Sequence, residues 1–153
     1  MKLYKYLVIV SVAIFSLIGF SGCEKKYYEV GADIETFIFE VDYDQWGWNA
    51  SANRYEYSFS FPEFDNYMFD QGSVDGAVYI WKTVGATDYQ VLTPLPYQQS
   101  YYDGTMLYSE TIGMDLYLEP AKKVVFYIQR NDLTAESRFL DDYKFKVVFT
   151  YRQ

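Results

Sequence analysis

Eight residues, Arg54 to Phe61, read RYEYSFSF and constrain the fold more than any other stretch of the chain. Tyr55, Tyr57, Phe59 and Phe61 alternate strictly with Arg54, Glu56, Ser58 and Ser60. A period of two places the four rings on one face of a strand and the polar side chains on the other. That is the pattern of a half-buried β-strand.

The same grammar recurs along the chain. In IETFIFEVDY, Ile34 to Tyr43, one face carries Phe37, Phe39, Val41 and Tyr43 and the other Thr36, Ile38, Glu40 and Asp42. Ile112, Met114, Leu116 and Leu118 alternate against Gly113, Asp115, Tyr117 and Glu119. Tyr143, Phe145, Val147, Phe149 and Tyr151 point inward on the last strand, with Lys144, Lys146, Thr150 and Arg152 outward and Val148 the exception. AVYIWK follows Asp75-Gly76, and YQVL follows a hairpin-type loop at VGATD. KVVFYIQ, Lys123 to Gln129, is apolar on both faces and is expected at the centre of a sheet. Pro94 and Pro96 exclude a central ladder position for their segment, and Pro62 and Pro120 close strands. EFDNYMFDQG is expected as a turn or one helical turn, and LTAESRFL within 131–142 as one or two helical turns. DQWGWNASAN reads as a loop and Asp103-Gly104 as a turn.

Seven or eight short strands separated by turn signals point to an all-β fold, an antiparallel two-sheet sandwich of immunoglobulin-like architecture. A closed barrel is the competing arrangement. Aromatic residues make up 22% of the chain, with 18 Tyr and 12 Phe, and they favour strands and supply the packing. With one cysteine in the chain, no internal disulfide contributes.

That cysteine locates the protein. Lys2 and Lys5 precede Leu7 to Phe20, an uncharged run of 14 residues, shorter than the ~20 needed to span a bilayer as a helix. A short apolar core between lysines and small residues reads as an export signal. Phe20-Ser21-Gly22 then leads into Cys23, in the manner of a lipobox. Residues 1–22 are expected to be removed as a signal peptide. Cys23 becomes the lipidated N-terminus, 23–32 the tether, and 33–153 the β-sandwich domain. A cleaved secretory signal with an incidental cysteine and an uncleaved helix are the alternatives. Two or more acyl chains give essentially permanent attachment, so membrane contact is expected through the lipid on Cys23. The location implied is the cell envelope, at the outer membrane, with the periplasmic or surface face left open.

Four segments, YEYSFSFPEF, DQGSVDGAVYIW, VLTPLPY and YKFKVVF, resemble in their order a group of small lipoproteins found in Bacteroidetes. The resemblance implies a small β-sandwich. It carries over no catalytic or ligand residue.

Composition excludes several functions. Loss of Lys2 and Lys5 takes the formal charge from −8 to −10, which repels phosphate backbones and argues against nucleic acid. The absence of histidine removes Ser-His-Asp and Cys-His chemistry and the commonest transition-metal ligand. No glycine-rich phosphate loop follows a strand. The stretch from Asp42 to Gly47 imitates the start of a calcium loop, but Trp46 at the fifth position has no oxygen to offer and Asn53 at the twelfth replaces the bidentate glutamate. No catalytic residue, metal or cofactor is expected, and the chain is not read as an enzyme.

Aromatic density at expected loops is the remaining signal. Trp46 and Trp48 flank Gly47, and Tyr97, Tyr101 and Tyr102 stand among Gln98, Gln99 and Asp103. Flat rings beside amides and carboxylates suit a neutral sugar or an envelope protein partner. For Trp46 and Trp48 the favoured reading is that they fold back over the end of the sandwich and close its core, since large aromatics are mostly buried in domains of this size. The leading expectation is a non-enzymatic, lipid-anchored protein that binds a partner or serves structurally. The other is a carbohydrate-binding accessory lipoprotein using Trp46, Trp48, Tyr97, Tyr101 and Tyr102.

Overall fold

The computed structural model describes residues 32–102, 104–105, 107–135, 137 and 140–152. The signal segment 1–22, Cys23, all but the last residue of the tether, and Asp103 of the expected turn lie outside the described residues.

Among the described residues, nine strands form two antiparallel sheets packed as a sandwich, with one short helix beside them. The strands are β1 (Ala32–Val41), β2 (Gly47–Asn49), β3 (Arg54–Ser60), β4 (Ser73–Val84), β5 (Thr87–Pro94), β6 (Tyr97–Tyr102), β7 (Leu107–Tyr117), β8 (Lys123–Arg130) and β9 (Tyr143–Arg152). The helix α1 spans Asn66–Gln71. One sheet has the order β1-β9-β4-β5 and the other β2-β3-β8-β7-β6. Neither closes on itself, so the barrel is excluded.

Alternation built the core as the period of two requires. Phe37 and Phe39 of β1, Phe61 at the end of β3, Phe126 of β8 and Phe145 and Phe149 of β9 meet between the sheets. Phe126 and Phe145 stack with centroids 4.0 Å apart, and Phe37 meets Phe61 edge-on at 4.7 Å. Full burial of each ring contributes about 1.5–3 kcal/mol. The segment apolar on both faces, β8, is the central strand of its sheet, between β3 and β7. Pro94 and Pro96 lie where β5, an edge strand, passes into β6, the edge of the other sheet.

Four local expectations change. The loop after β1 contains a three-residue strand, β2, which pairs with the start of β3. Tyr97, Tyr101 and Tyr102 lie on β6, a regular strand paired with β7 from Tyr97↔Ile112 to Tyr102↔Leu107. Their polar neighbours hid a strand whose rings alternate in pairs. Tyr43 is exposed, because β1 ends at Val41 and a turn closes with Gln45 N–H donating to the Asp42 carbonyl. Among the described residues of 131–142 there is no α-helix. Asp132 instead accepts hydrogen bonds from Arg130 and from the amide and hydroxyl of Thr134. Such side-chain capture of nearby donors competes with helix formation. The expected turn at 66–71 does form, with Asp65 accepting from the Met68 amide at 2.8 Å and Met68 buried.

Candidate functional site

The five aromatic residues singled out from the sequence do not share one surface. Trp46 is 6% exposed, donates its indole N–H to the Asp141 carbonyl at 3.1 Å, and meets Tyr143 and Phe145 edge-on. It closes the end of the core. Trp48 on β2 is half-buried against Tyr55, with centroids 5.1 Å apart. Tyr101 turns inward and stacks on Tyr108 at 5.2 Å, and Tyr97 is half-buried with the Lys82 ammonium 5.8 Å from its ring centre. Tyr102, on the opposite face of β6, is 70% exposed.

A cleft that the aromatic signal did not reveal opens along the side of the sandwich. Among the described residues, 73–76 of β4 have β9 on one side and no strand on the other, because the β4–β5 pairing begins at Ala77↔Pro94. Likewise 113–117 of β7 have β8 on one side and no described strand on the other, because the β6–β7 pairing stops at Ile112. These two half-strands wall a cavity of about 530 Å³ lined by Val74, Gly76, Leu95, Pro96, Met114 and Tyr127 among others. A second hollow of about 520 Å³ shares Val74 and Met114 and continues past Leu116 to Tyr117.

Strand register fixes which backbone groups face this cleft. Within a strand, the N–H and C=O of successive residues point alternately to the two neighbours. The Gly76 carbonyl accepts from Leu95 N–H on the β5 side, so Val74, two residues earlier, points its backbone the same way. The Ser109 carbonyl accepts from Asn131 on the β8 side, so the even-numbered residues of β7 point away from β8. Val74, Met114 and Leu116 therefore turn their amides and carbonyls toward the open side. Unpaired edges of this kind are templates for another strand.

Beyond Tyr79↔Lys144 the pairing of β4 with β9 ends. The β4–β5 hairpin runs on with residues 81–90 all exposed. A hollow of about 390 Å³ lies beside it, lined by Tyr79, Ile80, Trp81, Gln99, Tyr101, Leu140, Asp141, Asp142 and Tyr143. Of the sequence-based set only Tyr101 lines this hollow, and Trp46 braces its wall residue Tyr143 from within. Burial raises the phenol pKa of both Tyr101 and Tyr143, the latter to about 12.

Two charged constellations also escaped the sequence. On the outer face of the five-stranded sheet, the Arg54 guanidinium donates to Glu56 and Asp115, each at 2.6 Å, and lies 4.1 Å from the Tyr127 ring centre. That ring in turn covers Gly113, where any side chain would overlap it. Burial alone would push the Glu56 carboxyl up, but hydrogen bonds from Asn49 and Arg54 outweigh it and hold the group below its usual range. Inside the sandwich, Glu110 is 1% exposed and its Oε2 has no hydrogen-bond partner. Burial pushes its pKa up to about 7, with the charge of Arg130 opposing and that of Asp132 adding. The strand alternation does put position 110 inward, which is the one sequence signal that marks it.

Among the described residues no group of three or more acidic or cysteine side chains is placed to hold a metal ion, and no helix is long and apolar enough to cross a membrane. No family model, curated protein or solved structure matches the chain.

Proposed function

We propose that this protein is a non-enzymatic, lipid-anchored module of the cell envelope that captures a partner protein by accepting one of its extended segments as a strand in the cleft between β4 and β7. The observation that carries the reading is the pair of facing, unpaired edges at Val74, Met114 and Leu116. In strand addition the main-chain hydrogen bonds give affinity, and pockets for alternate side chains give specificity. The apolar lining from Val74, Leu95, Met114 and Leu116 offers such pockets. Met114 suits the role because an unbranched thioether repacks around different side chains.

The anchor rests on the sequence: the apolar run, Ser21-Gly22 and Cys23 support lipidation, and the likeness to Bacteroidetes lipoproteins supports an envelope location. Acyl chains on Cys23 would hold the sandwich at the membrane and raise the local concentration of neighbouring envelope proteins.

Selection of peptides from a display library on the full chain tests the reading. The expected winners are extended segments with apolar residues at every second position. Leu116→Pro, which removes an outward-facing N–H without touching the β8 ladder, is expected to abolish their binding. Selection of helical or polyproline peptides, or binding indifferent to Leu116→Pro, rejects it.

A further inference from the structure

The strand cleft is closed at one of its two ends. β5 takes the place beside β4 from Ala77↔Pro94 onward, and β6 takes the place beside β7 from Tyr97↔Ile112. Leu95 and Pro96 join those two strands and so cross from one sheet to the other, with Leu95 N–H donating to the Gly76 carbonyl. This crossover stands in the line that a captured strand would follow. Among the described residues the other end stays open, where the second hollow runs past Leu116 to Tyr117. Between the two ends there is room for about five residues of extended chain, at roughly 3.3 Å each.

The two walls run in opposite directions. Gly76 of β4 lies against Met114 of β7, whereas Tyr79 and Ile80 lie beside Tyr101, whose register partner is Tyr108. β4 therefore runs toward the crossover and β7 away from it. The walls also differ in what their backbones offer. Met114 and Leu116 present an amide and a carbonyl each, while Val74 alone does so on β4, because the Gly76 carbonyl is taken by Leu95. β7 is thus the main pairing partner, and antiparallel pairing is the more stable arrangement. A strand antiparallel to β7 runs from the open end to the closed end, and its carboxyl side arrives at the crossover.

Charge is graded along the same line. Lys146 is the register partner of Ala77 and stands level with the crossover, whereas Asp75, partner of Val148, stands nearer the open end. Both line the cavity, and among the described residues neither is held in an ion pair, while Lys144 on the same strand is held by Glu40 at 2.8 Å. A carboxylate at the closed end meets the cation, and an ammonium there would be repelled by it. Gly76, Leu95, Pro96 and Met114 give the cavity an apolar lining at this end, suited to a last side chain.

We propose that the cleft takes the carboxyl terminus of its partner protein: the last residues add antiparallel to β7, the final apolar side chain fills the cavity below Leu95 and Pro96, and the terminal carboxylate meets Lys146. The inference rests on strand capture by this cleft and specifies which part of a partner can be captured. An internal segment would have to leave the line of the sheet at the crossover, with its backbone groups unpaired there. A chain end has nothing further to place.

A random peptide library displayed on a carrier with its carboxyl end free, with its amino end free, or with both ends joined separates this claim from strand capture itself. Selection on the full chain is expected to yield binders that are lost in Leu116→Pro only from the carboxyl-free display. Such binders from either of the other displays overturn the carboxyl-terminal assignment and leave strand capture standing, and none from any display overturns both. For a synthetic binder, a Ser-Gly-Ser tail after the last residue is expected to weaken binding at least roughly tenfold, and the same tail before the first residue to leave it unchanged. Amidation of the carboxyl end is expected to weaken binding by roughly tenfold in the parent, the scale of one charge-assisted contact, and by little in Lys146→Met. Tolerance of the carboxyl-side tail, or an effect of amidation that is the same in both proteins, overturns the proposal.

Discussion

Met114 of β7 lies against Gly76 of β4, so closely that a Cβ at position 76 would stand 2.7 Å from the Met114 sulphur and 3.1 Å from Leu95 Cδ1. This contact is the floor of the strand cleft. It joins the two sheets at the point where each loses its edge neighbour, and it depends on the absence of a side chain at position 76.

Gly76→Val therefore fills the cleft from below. The three added carbons displace Met114 toward the open side, where a captured strand would lie. Overpacking of this kind costs about 1–3 kcal/mol, and the flexible thioether keeps the value at the low end. The expected result is a small fall in unfolding temperature with loss of peptide binding. A variant that binds peptide as well as the parent shows that the floor of the cleft is not used.

Glu110 gives the sandwich a pH dependence of unusual sign. Its carboxyl titrates at about 7 in the folded chain, above the ordinary value of 4.5, because burial disfavours the charge. The folded state thus binds the proton more tightly than the unfolded state between those values. Stability is greatest below about 4.5 as far as this group is concerned, falls as pH rises through that window, and reaches its full penalty above about 7. The shift corresponds to roughly 3 kcal/mol. Glu110→Gln is expected to be more stable than the parent at pH 8 and to lose that slope, measured by urea unfolding across pH 5–8. A variant destabilised equally at every pH would show that the buried carboxyl titrates in the ordinary range.

Arg54 holds two carboxylates on the outer face of the five-stranded sheet and is itself mostly covered, with its side chain 15% exposed. Replacing it by methionine keeps the packing over Tyr127 and leaves Glu56 and Asp115 without their cation. A loss of about 2 kcal/mol is expected, most of it from unpaired, partly desolvated carboxylates. Because Glu56 sits below its usual pKa, its contribution is present above about 4.5 and fades as pH falls through the lowered value. The deficit of Arg54→Met relative to the parent should accordingly shrink in acid. A deficit constant from pH 7 to pH 3 points to packing alone.

Much of the fold was legible because its signals are local. The alternation in RYEYSFSF and YKFKVVF set the inward faces of β3 and β9, and two-sided apolarity put β8 at the centre of its sheet. Prolines marked the passage between edges. What the sequence hid is where pairing stops. Nothing in residues 113–117 distinguishes a strand with two neighbours from one with a single neighbour, since the start of β6 at Tyr97 decides it. Tyr101 was singled out for its polar company and does line a hollow, but the other rings there are Tyr79, Trp81 and Tyr143, of which Tyr79 and Trp81 read in sequence as ordinary strand. Trp46 closes the end of the core, the favoured of the two roles weighed for it from the sequence, because a tryptophan that finds a carbonyl for its indole N–H can be buried at little cost.

The most direct measurement is amide hydrogen exchange along β4 and β7 of the full chain, with and without a selected peptide. In the free protein Met114 and Leu116 should exchange fast while Gly113 and Asp115, which face β8, exchange slowly, and Val74 should exchange fast beside a slow Asp75. Peptide should slow Val74, Met114 and Leu116 together. If those three amides are already protected in the free chain, or if protection on binding appears elsewhere, the cleft between β4 and β7 is not a strand acceptor.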